Sequence, residues 1–345
     1  MAVRAEALQP LTLAQAVAHF EAMGLPALPA TLHPGYVAAD ASRDPALQPA
    51  FLLFESKGRR WLNSLHLTDI AGTDLKDASS PYGYGGPLST SDDAQFLAQA
   101  WSAYTQWMEQ QRVVVEFVRF HPVLANERWY GGTASDNRPV VCMDLVTDNF
   151  AKDYPPRLKQ TLKKAERAGL VYIEGPLAPR ARTFAAYYRE AMADMQADPF
   201  FQFGDAYFEL LAATGVAALG LCLRDCDAGG PWLAASVLLQ GQGVREYHLA
   251  ATNAQGRELG ASSFLLHQAA LAARRQGVQR LYLGGGSDTR PGNSLLFFKS
   301  AYSAQRLAYR TGSCVFRAPD YDRLKRLHAA AWSAHPERPI FYRKV

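Results

Sequence analysis

The sequence predicts an α/β protein built from two similar units, each with a mixed, mostly antiparallel sheet. One order of elements occurs twice: a hairpin, a loop of small residues, a helix and a strand follow residue 51, and the same order follows residue 232. The chain of 345 residues is long enough for two domains of ordinary size. With 48% hydrophobic and 20% charged residues, it has the composition of a packed protein.

The first copy has four segments: FLLFESKGRRWLNSLHLTD (51–69), SSPYGYGGP (79–87), SDDAQFLAQAWSAYTQWMEQ (91–110) and VVVEFVRF (113–120). Two apolar runs around Lys57-Gly58 predict a hairpin. A glycine-rich loop follows, and then apolar residues at helical spacing predict a helix with Ser91 or Asp92 as its N-cap. The last segment predicts a strand, and a helix over 12–23 is expected before this copy.

The second copy is WLAASVLLQGQGVREYHLAATN (232–253), QGRELGASS (255–263), FLLHQAALAARRQG (264–277) and VQRLYLGGG (278–286). These segments predict a hairpin around Gly241-Gln242-Gly243, a loop, a helix ended by Gly277 and a strand. Helices over 180–197 and 205–214 are expected before it. The basic run PPRLKQTLKKAERAG (155–169) predicts a further helix near a domain boundary. We therefore expect one domain over 1–155, rejoined by 318–345, and a second over 156–317.

Charge and cysteine content exclude several classes of protein. The net charge of +4 is mild, so it permits an anionic substrate or a transient RNA encounter but does not indicate a dedicated nucleic-acid binder. Four cysteines are few for a disulfide framework, and neither they nor the eight histidines have metal-ligand spacing. No apolar stretch is long enough for a membrane span, and Glu6 in the amphipathic N-terminus argues against a signal peptide. We expect a cytoplasmic protein without a metal.

The loop at 255–263 contains Arg257, Gly260 and Ser262 in an Arg-x-x-Gly-x-Ser pattern just before a helix. The first turn of a helix presents unpaired N–H groups and the positive end of its dipole, which suits an anionic phosphate. A loop that enters any helix can have this appearance. Its place after a hairpin favours the phosphate-binding interpretation.

The segment YLGGGSDTRPGNSLLFFKSAYS (282–303) sets Lys299 in an apolar helix behind a glycine-rich loop. Lys299 is either a lysine that reaches out to water or a cation that meets a reacting carbonyl. Tyr247 and His248 lie next to each other on the second hairpin, so only one of them can point into a site there. We prefer Tyr247.

Four segments resemble the FemAB-like family: SPYGYGGP, MDLVTDNF…RLKQTLKKAERAG, EYHLAATNAQGRELGASSFL and LYLGGGSDTRPGNSLLFFKSAYS. The resemblance spans residues 50–320 and implies two tandem GNAT-like (acyl-CoA N-acyltransferase-like) domains, without the coiled-coil arm of the larger members. Fem-type enzymes transfer an amino acid from aminoacyl-tRNA to an amine of a peptidoglycan precursor. They tend to carry a basic residue just before the helix that here begins near Asp205, where this sequence has FFQFG.

The family's Phe-Lys pair falls on Phe298 and Lys299. The resemblance implies that Lys299 stabilises an oxyanion or holds the donor, and that the Phe298 carbonyl accepts a hydrogen from the attacking amine. Further residues are expected to bind substrate: Tyr82, Tyr84, Arg119, Gly284, Gly285, Gly286 and Asp288. Residues expected to bind the donor are Arg257, Gly260, Ser262, Lys163 and Lys164.

Three functions remain open from the sequence. The first is aminoacyl transfer from aminoacyl-tRNA to an amine-bearing acceptor, with no permanently bound cofactor. The second is an acyl-CoA-dependent N-acyltransferase acting on a small-molecule or sugar amine, which the Arg257–Ser262 pattern favours. The third is a catalytically inactive binding module, against which Lys299 beside three glycines argues. The sequence names neither the amino acid nor the acceptor, and it leaves the oligomeric state open.

Overall fold

The computed structural model describes residues 7–147, 149–224, 230–286 and 292–343. The strands are β1 (Gln9–Pro10), β2 (Gln48–Ser56), β3 (Arg59–Asp69), β4 (Lys76–Ser79), β5 (Leu88–Ser89), β6 (Val113–Arg119), β7 (Thr133–Asp144), β8 (Leu170–Pro176), β9 (Ala217–Arg224), β10 (Ala234–Gln240), β11 (Val244–Thr252), β12 (Arg280–Gly284) and β13 (Arg306–Val315). The helices are α1 (Leu13–Glu21), α2 (Pro34–Ala41), α3 (Ala94–Gln110), α4 (Pro156–Arg167), α5 (Ala181–Asp194), α6 (Asp205–Ala213), α7 (Ala254–Leu259), α8 (Ala261–Arg275), α9 (Ser294–Ser300), α10 (Ala318–Leu327) and α11 (Ala329–Ala334).

The chain divides into two compact units. Unit 1 comprises Met1–Leu25, Thr31–Asn137 and Tyr309–Val345, and unit 2 comprises Pro26–Ala30 and Arg138–Ala308. The sequence-based boundaries were 155/156 and 317/318, whereas the units change at 137/138 and 308/309. The difference arises because β7 and β13, neither of which was predicted, each span a boundary.

The sheet of unit 1 has the order β1-β2-β3-β4-β6-β13, and β5 pairs with β3 at the side. All neighbours are antiparallel except β4 and β6. The helix α3 lies in the connection between these two parallel strands, as a parallel pair requires. Its apolar side is buried at Phe96, Ala100, Tyr104 and Met108 against the sheet.

The sheet of unit 2 has the order β8-β9-β10-β11-β12-β7, with one parallel pair, β11 and β12. The helix α8 connects this parallel pair. Along the sheet, the succession of three antiparallel pairs, one parallel pair and one antiparallel pair is therefore the same in both units. The predicted fold class, two α/β units with mixed and mostly antiparallel sheets, is confirmed.

Local predictions were confirmed where turn chemistry is decisive. Lys57 and Gly58 both have positive φ between β2 and β3, and Gly277 has φ 77° just after α8. The antiparallel β10 and β11 flank Gly241–Gly243 as expected.

Other predictions were wrong in detail. The N-cap of α3 is Asp93, whose carboxylate accepts the N–H of Phe96 at 2.8 Å, and not Ser91 or Asp92. In the amphipathic N-terminus, the helix begins only at Leu13, where Thr12 and Gln15 form a capping box, and the preceding residues Gln9–Pro10 form β1. In the first copy, the unpredicted β4 lies between the hairpin and β6, so the hairpin does not neighbour that strand.

Candidate active site

In unit 2, the strands β11 and β12 pair over a short stretch and then separate. The three residues from Val244 to Glu246 pair with those from Arg280 to Tyr282. Beyond them, no further β11–β12 pair forms among the described residues. The second half of β11, which starts at Tyr247, and the end of β12 at Gly284 are therefore not paired with each other.

Glycines lie at the end of β12, just beyond the residues that pair with β11. Gly284 has φ 76°, a conformation that favours glycine. A Cβ on Gly286 would lie 2.4 Å from Oδ1 of Asn293, so a side chain at that position would displace Asn293. Oδ1 of Asn293 accepts the N–H groups of Leu295 and Leu296 at 3.1 Å and so caps α9.

The helix α9 carries Lys299 back over the glycines. The ammonium of Lys299 donates a hydrogen bond to the carbonyl oxygen of Gly285 at 2.8 Å, and the side chain is buried, with 8% exposed. Burial, together with the nearby positive charge of Arg138, lowers the pKa of Lys299 to about 8. Among the residues that the structure describes, Gly285 is the one hydrogen-bond acceptor of this ammonium, which leaves two N–H groups for a ligand.

Phe298 and Tyr247 pack against the same hydrophobic cluster of unit 2. The Phe298 carbonyl accepts the N–H of Ala301 at 3.3 Å at the end of α9. Burial raises the pKa of Tyr247, and a hydrogen bond with Ser236 partly offsets the rise. A phenol with a raised pKa is a hydrogen-bond donor at neutral pH, not a base.

A bulge in β11 separates Tyr247 from His248. Tyr247 pairs with Leu238 and Leu249 pairs with Val237, so His248 has no opposite residue on β10. Nε2 of His248 lies 2.6 Å from the hydroxyl of Tyr207 on α6. The two neighbours thus have different surroundings, Tyr247 in the cluster under α8 and His248 against α6.

The segment at 255–263 is mostly helical, contrary to the predicted loop. It consists of α7, Gly260 with φ 76°, and the start of α8. Arg257 donates to the Thr252 carbonyl at 2.9 Å, and the hydroxyl of Ser262 lies 2.5 Å from that of Thr252. A Cβ on Gly260 would lie 2.5 Å from Cγ2 of Thr161 on α4, so the approach to this glycine is occupied by protein.

The basic helix α4 lies beside this segment. Nζ of Lys164 donates to the Glu258 carbonyl at 2.7 Å, which brings it to the end of α7. Lys163 is exposed. The other exposed cations of the helix are Arg157, Lys159 and Arg167.

Two of the expected substrate residues of unit 1, Tyr82 and Arg119, lie near buried Asp40. Its carboxylate accepts the N–H of Tyr82 at 2.8 Å, and the Arg43 guanidinium lies 5.1 Å from the Tyr82 ring. Burial lowers the pKa of Arg119, and its electrostatic interactions with Tyr309 and Asp40 partly offset that effect. Tyr84 packs edge-on against Tyr309 at 5.7 Å. The sequence did not single out Asp40, Arg43 or Tyr309, because each lies far along the chain from the loop.

One predicted site residue, Asp288, lies outside the described residues. The described ranges contain no group of three His, Cys, Asp or Glu side chains arranged to hold a metal ion. No helix in the described part of the chain is both long and apolar enough to cross a membrane.

Residues 156–290 match the family described as the acetyltransferase (GNAT) domain. No curated protein sequence matches the chain. Among solved structures, the chain is similar to FemX, with a TM-score of 0.71 and 11% identity over 92% of this chain and 99% of that one.

Two further solved structures have similar folds. One is the C-terminal domain of a protein assigned as a lysylphosphatidylglycerol synthetase from Agrobacterium fabrum, with a TM-score of 0.56 and 14% identity over 93% of this chain and 97% of that one. The other is L-PGS from Bacillus licheniformis, with a TM-score of 0.56 and 13% identity over 85% of this chain and 90% of that one. At these identities the likeness concerns the fold.

Proposed function

For this chain, which has the FemAB-like double GNAT fold with a GNAT acyltransferase domain in unit 2, we propose aminoacyl transfer from aminoacyl-tRNA to an amine of a peptidoglycan-precursor-like acceptor. The observation that supports this proposal best is the buried Lys299 ammonium on the Gly285 carbonyl, just beyond the residues where β11 and β12 stop pairing.

Aminoacyl transfer is helped by a positive charge beside the reacting carbonyl, because that oxygen becomes negative during the reaction. The neutral amine attacks the ester carbon, and a tetrahedral intermediate with a negative oxygen forms. The C–O bond to the ribose then breaks, the amide remains, and the proton lost by the amine ends on the ribose oxygen. With a pKa of about 8, Lys299 is about nine-tenths protonated at pH 7, so it can donate an N–H to the oxyanion.

No strong base stands beside Lys299 among the residues we assign to the site. Tyr247 is protonated at neutral pH because burial raises its pKa. We assign it a donor or positioning role. The Phe298 carbonyl can accept a hydrogen from the amine through its second lone pair, and alignment of the two reactants supplies much of the acceleration.

The exposed basic side of α4 supports a tRNA donor. Lys163 and Lys164 lie on this side, and Lys164 reaches the α7 end that precedes α8. Phosphates of an RNA backbone are attracted to such a row of cations. The acceptor is assigned to the loop of Tyr82 and Tyr84 and to Arg119 in unit 1.

An acyl-CoA-dependent N-acyltransferase is the second candidate, and the GNAT domain match favours it. A CoA pyrophosphate would have to meet the N–H groups at the start of α8. There, Thr161 occupies the approach to Gly260, and Arg257 and Ser262 are both bonded to Thr252. These contacts favour the tRNA donor.

The test is a direct comparison of donors. Purified protein is incubated with a panel of labelled aminoacyl-tRNAs, or with acetyl-CoA, together with amine acceptors that include a peptidoglycan-precursor peptide. We expect labelled amide product from aminoacyl-tRNA that depends on the acceptor. Product from acetyl-CoA alone would establish the second candidate, and no product from either donor would contradict both.

A further inference from the structure

A cavity in unit 2 lies away from Lys299, and the proposed function does not use it. It has a volume of about 550 Å³ and is lined by Tyr172, Glu174, Ala218, Gln240, Arg245 and Arg275, among others. We call it the Arg245 groove. It lies at the C-terminal end of α8. Tyr302, in the hydrophobic cluster against which Phe298 packs, donates instead to the Ser263 carbonyl at the N-terminal end of that helix. The 15 residues of α8 span about 22 Å.

Arg245 is held rigidly in the floor of the groove. It is 2% exposed, and each of its three nitrogen atoms has a partner: Nε donates to Gln240 at 2.7 Å, Nη1 to Glu174 at 3.0 Å and Nη2 to Gln276 at 2.5 Å. Such a network fixes the guanidinium plane before any ligand arrives.

The carboxylate of Glu174 already accepts hydrogen bonds from other side chains of the protein. The donors are Tyr172, Arg245 and Gln276. The charge of Arg245 also compensates that of Glu174 through their ion pair. Glu174 therefore does not give the groove an excess of negative charge.

What the groove can offer a ligand is hydrogen-bond donors and positive charge. Two of the five N–H groups of Arg245 have no described acceptor, and the Gln240 amide nitrogen is a further donor. Arg275 is exposed and has no ion-pair partner in the described part of the chain. Arg275 and Tyr172 both line the groove. The positive charges of Arg245 and Arg275 both act on the Tyr172 hydroxyl, since each opposes the rise in its pKa.

We propose that the Arg245 groove binds a small molecule through an oxyanion, a carboxylate or a phosphate, held by Arg245 and Arg275. The groove has the volume of an ordinary small-molecule site, and its buried arginine offers the planar donor geometry that suits oxyanions. This site is independent of the proposed aminoacyl transfer.

Two substitutions test the groove without removing Arg245. Arg275→Gln removes the uncompensated charge. Ala218→Phe fills the space of the groove. Ala218 pairs with Pro176, and Glu174 lies two residues before Pro176 on β8. Because side chains alternate along a strand, the side chains of Ala218 and Glu174 are on the same side of the sheet. The matched control is Arg180→Gln, an exposed arginine of the same unit that does not line the groove.

Binding is measured by calorimetric titration with inorganic phosphate and, separately, with acetate, at constant ionic strength. We expect saturable binding to the wild type and to Arg180→Gln, and binding weakened about tenfold or more in both groove variants. Arg275→Gln loses a charge-assisted hydrogen bond, and Ala218→Phe occupies the space of the ligand. Stronger binding of phosphate assigns a phosphate ester, and stronger binding of acetate assigns a carboxylate.

A separate measurement keeps folding defects from being mistaken for lost binding. The urea unfolding midpoint of each variant is determined without added anion, and only variants that unfold cooperatively are compared. Absence of saturable binding to the wild type, or equal binding to the wild type and both groove variants, would overturn the proposal.

Discussion

The ammonium of Lys299 lies 2.8 Å from the carbonyl oxygen of Gly285, 14 residues earlier in the chain. This contact folds α9 back onto the glycines that end β12. It buries the lysine side chain and places its ammonium near the residues where β11 and β12 stop pairing. Burial of a cation costs free energy, and one neutral carbonyl does not balance its charge, so the position of Lys299 calls for a functional explanation.

Replacement of Lys299 by methionine tests that explanation. We expect Lys299→Met to retain the fold and to lower kcat by about two to three orders of magnitude, the effect of losing one oxyanion donor. The matched control is Lys325→Met, in unit 1. Full activity of Lys299→Met would make Lys299 a packing residue, and failure to fold would make it structural.

The pH dependence of kcat should report the protonation of Lys299. Its pKa is about 8 because burial disfavours the ammonium, so the donor form is lost as the pH rises above that value. We expect an alkaline limb with an apparent pKa of about 8 in the wild type and no such limb in the residual activity of Lys299→Met. A rate that instead rises through pH 8 and needs Lys299 would indicate a general base.

Charge reversal on α4 tests the donor. Lys163→Glu removes an exposed cation, and we expect a higher KM for aminoacyl-tRNA with a weaker dependence on salt, because fewer counterions are released. The double variant with Lys164→Glu should show a larger effect. Unfolding midpoints serve as a control, because Lys164 also bonds the Glu258 carbonyl. An unchanged KM and salt dependence would remove α4 from the donor site.

A methyl group on Gly286 tests the close approach of α9. Gly286→Ala would place its Cβ 2.4 Å from Oδ1 of Asn293, so the cap should break at a cost of about 1 kcal/mol. We expect a large loss of kcat with a small loss of stability, because Lys299 moves with α9. Gly204→Ala is the matched control, since a Cβ there meets nothing within 4 Å. Equal kcat in the two variants would contradict the prediction.

The raised pKa of Glu116 in unit 1 should make the folding stability of the protein depend on pH. Glu116 is buried between the hydroxyls of Tyr104 and Tyr130, and burial raises its pKa from 4.5 to about 7. The folded chain therefore keeps a proton that the unfolded chain releases between these values. The resulting stabilisation is complete below pH 4.5 and is lost as the pH rises through 7.

The expected loss is about 3 kcal/mol, since each unit of pKa shift corresponds to about 1.4 kcal/mol. Glu116→Gln keeps the shape of the side chain and cannot ionise, so its stability should be less dependent on pH. Urea unfolding of both proteins between pH 4 and pH 8 measures the difference. Parallel curves would show that Glu116 is ionised in the folded state.

Short-range chemistry made several elements predictable from the sequence. Lys57-Gly58 fixes the first hairpin and Gly277 ends α8, because the turn and the helix end each involve residues within a few positions. The resemblance to FemAB-like proteins, carried by motifs such as LGGG and FFKSAYS, predicted the fold that the solved structures confirm.

Other elements depended on partners distant in the chain. The strands β7 and β13, which moved both domain boundaries, are recognised only through their pairing with β12 and β6. The helix over 254–259 was not predicted, because its glycine suggested a loop. The helix begins after Asn253, whose side chain caps it. A strand that lacks a strong alternating pattern is specified by its neighbours and not by its own residues.

The sequence by itself determined which residue types were available: a lysine behind three glycines, two hairpins and a basic helix. The tertiary structure decided what they meet. It brought Lys299 onto Gly285, gave Tyr247 and His248 different surroundings through a bulge in β11, and joined Arg245 to Glu174, 71 residues away. The physical reason is that turns and caps are local interactions, whereas burial, ion pairing and a change in pKa arise only when distant segments pack together.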